Sequence, residues 1–140
     1  MTPLLEYTKI TEARSAIGEI YSTAERHLAV VLRRANDAPV AVIRQDDLKR
    51  ALRALCPLAP QVRYSPDEHV SMWIEGLPVS GAGTSFDLAG QDLIHSLREY
   101  ARTWVADLRN YANHIENWDV VNLVLLSDDD ELRVHLFGDE

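Results

Sequence analysis

A few residues of this sequence have the types and spacing that chemistry needs. Ser80-Gly-Ala-Gly-Thr-Ser85 has the glycines and hydroxyls of a loop that cradles phosphate with backbone N–H groups, but the Lys-Ser/Thr pair that completes such a loop does not follow. A turn between a strand and a helix is the simpler reading. His95 and Glu99 stand four apart, which puts both side chains on one helix face and would suit a metal, yet no second histidine pair completes a ligand set. The five histidines, His27, His69, His95, His114 and His135, are dispersed, and no Ser/His/Asp or Cys/His arrangement is favoured by motif. Asn113-His114 fits a helix end, where capping explains both residues. Cys56, the sole cysteine, cannot close a disulfide within the chain or hold structural zinc alone, and reads as a small apolar residue. Neither catalysis nor a metal or cofactor is expected.

The elements that would position these residues must come from 140 residues with 46% hydrophobic content, enough for one domain or two small modules and well above the disordered class. No run of about 18 apolar residues occurs, and the first residues lack the basic-then-apolar order of a secretory signal. The expectation is a soluble, cytoplasmic protein with no membrane partner. The net charge of −8 is unevenly distributed. Residues 1–55 hold nine basic and seven acidic side chains, a net of +2, whereas residues 56–140 hold five and fifteen, a net of −10. The two halves call for separate readings.

In the first half, Ala13, Ile17, Ile20, Tyr21 and Ala24 recur at helical spacing after Thr11, a plausible N-cap. Residues 28–32 and 40–43 are rich in valine and separated by Asn36-Asp37, a hairpin signal, with Pro39 at the start of the second strand. Val30, Val40 and Val42 are expected in the core. Asp46 can cap a helix through Leu48, Ala51, Leu52 and Leu55 that stops before Pro57. The prolines at 57, 60 and 66 mark residues 57–69 as a linker. Beyond it, residues 69–74 alternate like a strand, residues 76–85 read as loop, and Leu93, Leu97, Tyr100, Ala101, Trp104, Val105, Leu108 and Ala112 form the face of a long helix beginning between Asp87 and Gln91. Residues 118–137 admit either a hairpin or helices. Helices are preferred, since Ser127 as N-cap, the acidic run Asp128 to Glu131 in a first turn and Gly138 past the end suit one at every position.

The order Thr11-Glu-Ala-Arg14, helix, Arg33-Arg34, Pro39-Val-Ala-Val-Ile43, Gln45-Asp-Asp-Leu48 resembles the Phd/YefM antitoxin module over roughly residues 5–53. The fold class expected is α+β: an N-terminal α-β-β-α module over residues 1–56, then a small, mostly helical α+β module over residues 70–140. One departure is Ala35-Asn36-Asp37-Ala38, where the family usually has a glycine-containing turn. The resemblance implies a homodimer or higher even-numbered assembly that joins its hairpins, with Leu28, Val30, Val40 and Val42 at the interface. It also implies operator DNA as partner, with Lys9 and Thr11 at phosphate, Arg14 at phosphate or a guanine edge, and Arg34 beside them.

In that family the following segment commonly orders only on the toxin. Here residues 70–140 carry all three tryptophans and an amphipathic helix, enough apolar surface to fold alone. Residues 70–109 are loosely similar to HicB-type antitoxins. The expected function is an antitoxin that neutralises a co-encoded toxin and represses its own operon, with the toxin held by the acidic half through residues such as Glu99, Trp104 and Asp107. The rival reading is a regulatory or scaffold module that binds no DNA and uses its acidic half for a protein or small ligand.

Overall fold

The computed structural model describes residues 5–138. The chain divides into two units, Met1–Arg50 and Ala51–Glu140, each with its own three-stranded sheet. Both units mix helix and strand, so the fold is α+β.

The first unit runs β1 (Glu6–Tyr7), α1 (Ile10–Ser15), α2 (Ile17–Glu25), β2 (Val30–Leu32), β3 (Val40–Val42) and the start of α3 (Gln45–Leu55). The hairpin forms where the valine-rich runs place it, with Val30 opposite Val42 and Leu32 opposite Val40. β1 adds a parallel strand with Glu6 opposite Val31, too short to leave a periodic trace in sequence. The single helix expected from Thr11 is broken at Ala16, where φ is −111° and ψ 18°. The Ser15 hydroxyl donates to the carbonyls of Thr11 and Glu12, a side-chain bond that competes with helix continuation. Two of the expected face residues therefore miss the core: Ile17 and Tyr21 are 64% and 68% exposed, while Ala13, Ile20 and Ala24 are buried. Thr11 is not the cap either. Lys9, with extended backbone, holds that position, and Thr11 lies in the first turn.

α2 ends at Arg26 with His27 in the left-handed region (φ 72°). The His27 and Leu28 amides donate to Ala24 and Thr23, closing two of the helix's free carbonyls. In the hairpin turn the left-handed residue is Ala35 (φ 40°), not the more tolerant Asn36 or Asp37. Ala13, Ile20 and Val30 form the core of this unit, with Leu5, Tyr7, Leu32 and Val42 packed against it.

The second unit contains β4 (Gln61–Tyr64), β5 (Val70–Trp73), β6 (Ser80–Gly83), α4 (Phe86–Ala106), a 3-10 turn at Leu108–Asn110, α5 (Ala112–Ile115), α6 (Trp118–Leu126) and α7 (Asp129–Phe137). Its sheet is antiparallel in the order β4-β5-β6. Two stretches read as irregular are strands. Within the expected linker, Gln-Val-Arg-Tyr is an edge strand, a position that tolerates Pro60 just before it. Within the expected loop, Ser-Gly-Ala-Gly pairs with β5 through Gly81 opposite Met72.

α4 is the central element, touching β5, β6, α6 and α7. It starts one residue before the earliest expected position, capped by the Ser85 hydroxyl, which accepts from the Leu88 amide. Such a cap stabilises by about 1 kcal/mol. Ala89, Leu93, Leu97 and Ala101 are fully buried along its face. The C-terminal segment is helical as preferred, with the cap one residue later than Ser127: Asp128 accepts from the Glu131 amide and Glu131 accepts from the Asp128 amide. Gly138 follows α7 at φ 81°. Among the described residues no helix is long and apolar enough to cross a membrane.

Candidate functional site

In the first unit, Lys9 stands at the cap of α1 and Arg14 in its last turn, both exposed. Among the described residues neither has an ion-pair partner, whereas Arg33 is held by Glu6 and Arg34 Nε donates to Asp37 Oδ2 at 2.7 Å. Thr11 is also exposed, its carbonyl taken by Ser15. Ile10, the neighbour of Lys9, lines one hollow of about 240 Å³ together with Arg33, Arg34 and Asp37. The start of α1 and the hairpin connection thus share an edge, which brings Lys9 to the side of the unit that carries Arg34. A helix of six residues contributes little dipole, so the charge available to an anion here is that of the side chains.

The four residues expected at a dimer interface separate in the structure. Val30 is 1% exposed and belongs to the unit's own core, so it is not available to a second chain. Val42 is half-buried against that core. Val40, expected in the core, is instead 59% exposed, at the turn end of the hairpin where it pairs with Leu32. Leu28 is exposed as well, and so are Ile17, Tyr21 and Ile43. β3 is the outer strand of its sheet, and Tyr21, Val42 and Ile43 line a cleft of about 470 Å³ within the unit.

In the second unit, Glu99 is exposed and paired with Arg102. Trp104 is half-buried, and its indole N–H donates to the His114 carbonyl at 2.8 Å. Asp107 is the exposed C-cap residue of α4. All three lie along or just past the second half of one helix. His95 is exposed on the same helix, but Glu99 is engaged by Arg102, and among the described residues no three His, Cys, Asp or Glu side chains are grouped to hold a metal ion.

Three arrangements in this unit have no signal in the sequence, because their members come from separate segments. Tyr100 is buried and its hydroxyl lies 2.8 Å from His114 Nδ1 and 2.8 Å from Asn117 Nδ2. Asn117 donates to the hydroxyl, so one Tyr100 oxygen ties α4 to both His114 and Asn117. Arg98 reaches from α4 to the carbonyls of Val124 (2.5 Å) and Ser127 (2.8 Å) and to Asp129 Oδ1 (2.8 Å). It fixes the corner between α6 and α7. His135 of α7 meets the Cys56 carbonyl at 2.7 Å.

Cys56 is buried as expected of an apolar residue. Burial, and then the nearby Asp119 carboxylate, push its thiol from 9.0 up to about 11. It is protonated at neutral pH and a poor nucleophile.

Compared with known protein families, residues 1–136 match the PHD-like family, described as the antitoxin of a toxin-antitoxin system of the RelE/RelB kind. A comparison with curated proteins returns no match. Among solved structures, the chain is similar to an antitoxin part of a proposed toxin/antitoxin system from Syntrophomonas wolfei subsp. wolfei, with a TM-score of 0.79, 22% identity and 96% of each chain covered. At that identity the likeness speaks to the fold.

Proposed function

The chain belongs to the PHD-like family of toxin-antitoxin antitoxins, and on that premise we propose that its two units divide the work: the first binds operator DNA as a dimer and represses the operon, and the second holds the co-encoded toxin. The observation that carries the DNA reading is the pair Lys9 and Arg14, exposed and free of acidic partners on one short helix that borders the Arg34 turn. In a chain of net charge −8, unpaired cations so placed favour phosphate locally even though the whole molecule repels it. Lys9 and Thr11 fix register on the backbone, and Arg14 reaches a base edge. Arg34 is a secondary contact, since Asp37 already neutralises it.

Dimerisation is supported by the open edge of β3 and by the apolar residues Tyr21, Leu28, Val40 and Ile43 exposed on the first unit. A second copy that covers them doubles the number of basic helices facing one operator. Of the interface expected from sequence, Leu28 and Val40 remain, with Val42 at the margin. In the second unit the exposed carboxylate of Asp107, with Trp104 and the Arg102-paired Glu99 earlier on α4, offers acid to a basic toxin surface, and such complementarity raises the association rate and selects the partner.

The test is a gel-shift titration of the full chain against its own upstream DNA at two salt concentrations, with unrelated DNA as competitor. Specific retardation that weakens with salt is expected. No shift at micromolar protein, with the dimer intact by sedimentation, would leave the rival reading of a scaffold that binds no DNA.

A further inference from the structure

A groove of about 520 Å³ opens in the second unit between the chain that follows α3, the β5-β6 turn and the start of α6. Its floor is apolar, with Leu58, Ile74 and Val120 all buried. Three carboxylates line it, Glu75, Glu116 and Asp119, and no lysine or arginine does. Among the described residues none of the three has an ion-pair partner. Glu75 accepts from the Trp73 indole and Asp119 from the Val120 amide, but no cation of the second unit answers their charge. Some carboxylates of that unit are paired, Glu99 with Arg102, Asp129 with Arg98 and Asp130 with Arg133, but those of the groove are not. What sets the groove apart is that three such carboxylates converge over an apolar floor.

We propose that this groove is the anchoring pocket for the toxin, and that it receives an arginine or lysine flanked by apolar residues. The proposal rests on the reading that the second unit holds the toxin. A long basic side chain matches the lining in both of its parts: its methylene stem lies on Leu58, Ile74 and Val120 while its cation meets the carboxylates at the rim. Arginine suits the site best, because a planar guanidinium can meet two carboxylates at once. A small apolar molecule would leave three carboxylates beside it unanswered, and an anion would be repelled. Cys56 also lines the groove, its thiol raised first by burial and then by the neighbouring Asp119 carboxylate. Occupancy brings the partner to α4 through Asn117, which lines the groove and is hydrogen-bonded to Tyr100.

The experiment uses the full chain and the protein encoded by the adjacent reading frame, measured by calorimetric titration at two salt concentrations. Glu75→Gln/Glu116→Gln changes two exposed side chains, so the fold is expected to survive, which circular dichroism checks. Its affinity should fall roughly tenfold or more, with a weaker dependence on salt. Leu55→Arg, at an exposed position on the same lining, supplies a cation from within and should also weaken the partner. If the unmodified chain binds the partner and both variants bind it equally well, the groove proposal fails while the antitoxin reading stands. Should the unmodified chain not bind at all, both fall. A variant that changes the chain's own oligomeric state and leaves partner affinity alone would assign the groove to a second copy and overturn the proposal.

Discussion

Gly81 of β6 lies against Leu93 of α4 so closely that a Cβ on Gly81 would fall 2.4 Å from the Leu93 amide nitrogen and 2.4 Å from the Ala89 carbonyl oxygen. Both obstacles are backbone, so neither can swing away. Gly81→Ala is therefore expected to destabilise the second unit by about 3 kcal/mol or more. Gly83→Ala, which would sit 2.8 Å from Leu88 Cβ, should cost somewhat less. Thermal melts with and without phosphate test this: a large drop for Gly81→Ala, and no stabilisation of the unmodified chain by phosphate, are the outcomes that strand packing requires. Phosphate-dependent stabilisation would return Ser80 to Ser85 to the status of an anion loop.

The same glycines explain part of what the sequence concealed. A strand of Ser-Gly-Ala-Gly has no β-branched residue to announce it, and it exists because α4 needs a surface without side chains to approach. α4 itself was legible because its apolar residues repeat over twenty-one positions, more than any accident of composition sustains. The first helix was legible in part: its period is intact, but the break at Ala16, beside the Ser15 hydroxyl bonded to Thr11 and Glu12, is not something a hydrophobic pattern registers. Of the candidate site residues, Lys9 and Arg14 could be named together because the family resemblance covers one short stretch that holds both. Glu75 meets Glu116 and Asp119 only after the sheet and the α5–α6 segment have folded together, and no spacing along the chain connects it to them.

Arg98 closes the corner between α6 and α7 with one guanidinium spread over two carbonyls and the Asp129 carboxylate. Arg98→Met keeps most of the stem and removes these bonds, leaving partly buried carbonyls unanswered. The loss is expected to be about 2–3 kcal/mol. For a unit of this size that corresponds to a drop of very roughly 10–20 °C in melting temperature. Asp129→Asn should cost far less, since the carbonyl bonds remain and that side chain is largely exposed. If the two variants melted alike, the ion pair and not the carbonyl bonds would be the source of stability.

Cys56 makes stability depend on alkaline pH. Its thiol ionises at about 11 in the folded chain against an ordinary 9.0, so the fold favours the protonated form. Below pH 9 both states keep the proton and the contribution is complete. From pH 9 to about 11 the unfolded chain ionises while the folded chain does not, and stability is lost progressively. Cys56→Ala, compared with the unmodified chain in denaturant melts at pH 8 and pH 10.5, should lose less on going to the higher pH. Alkylation should follow the same shift: the native chain is expected to react slowly at pH 8.5, where the denatured chain reacts readily. Equal rates in the two states would contradict a buried thiol beside Asp119.

Arg14 separates the two readings of the first unit most directly. It is exposed, has no acidic partner and is outside the core of Ala13, Ile20 and Val30, so Arg14→Glu should leave melting temperature and sedimentation almost unchanged. Under the DNA-binding reading it replaces an attraction for phosphate or base with a repulsion, twice over in a dimer, and operator binding should be abolished. Arg34→Glu is a graded control. Its cation is already shared with Asp37 at 2.7 Å, so the reversal should weaken binding without eliminating it. The ordering is the informative result: Arg14→Glu worse than Arg34→Glu follows from which cation is free. The opposite order would move the contact from α1 to the hairpin turn, and no effect of either on the gel shift would remove this face from DNA recognition altogether.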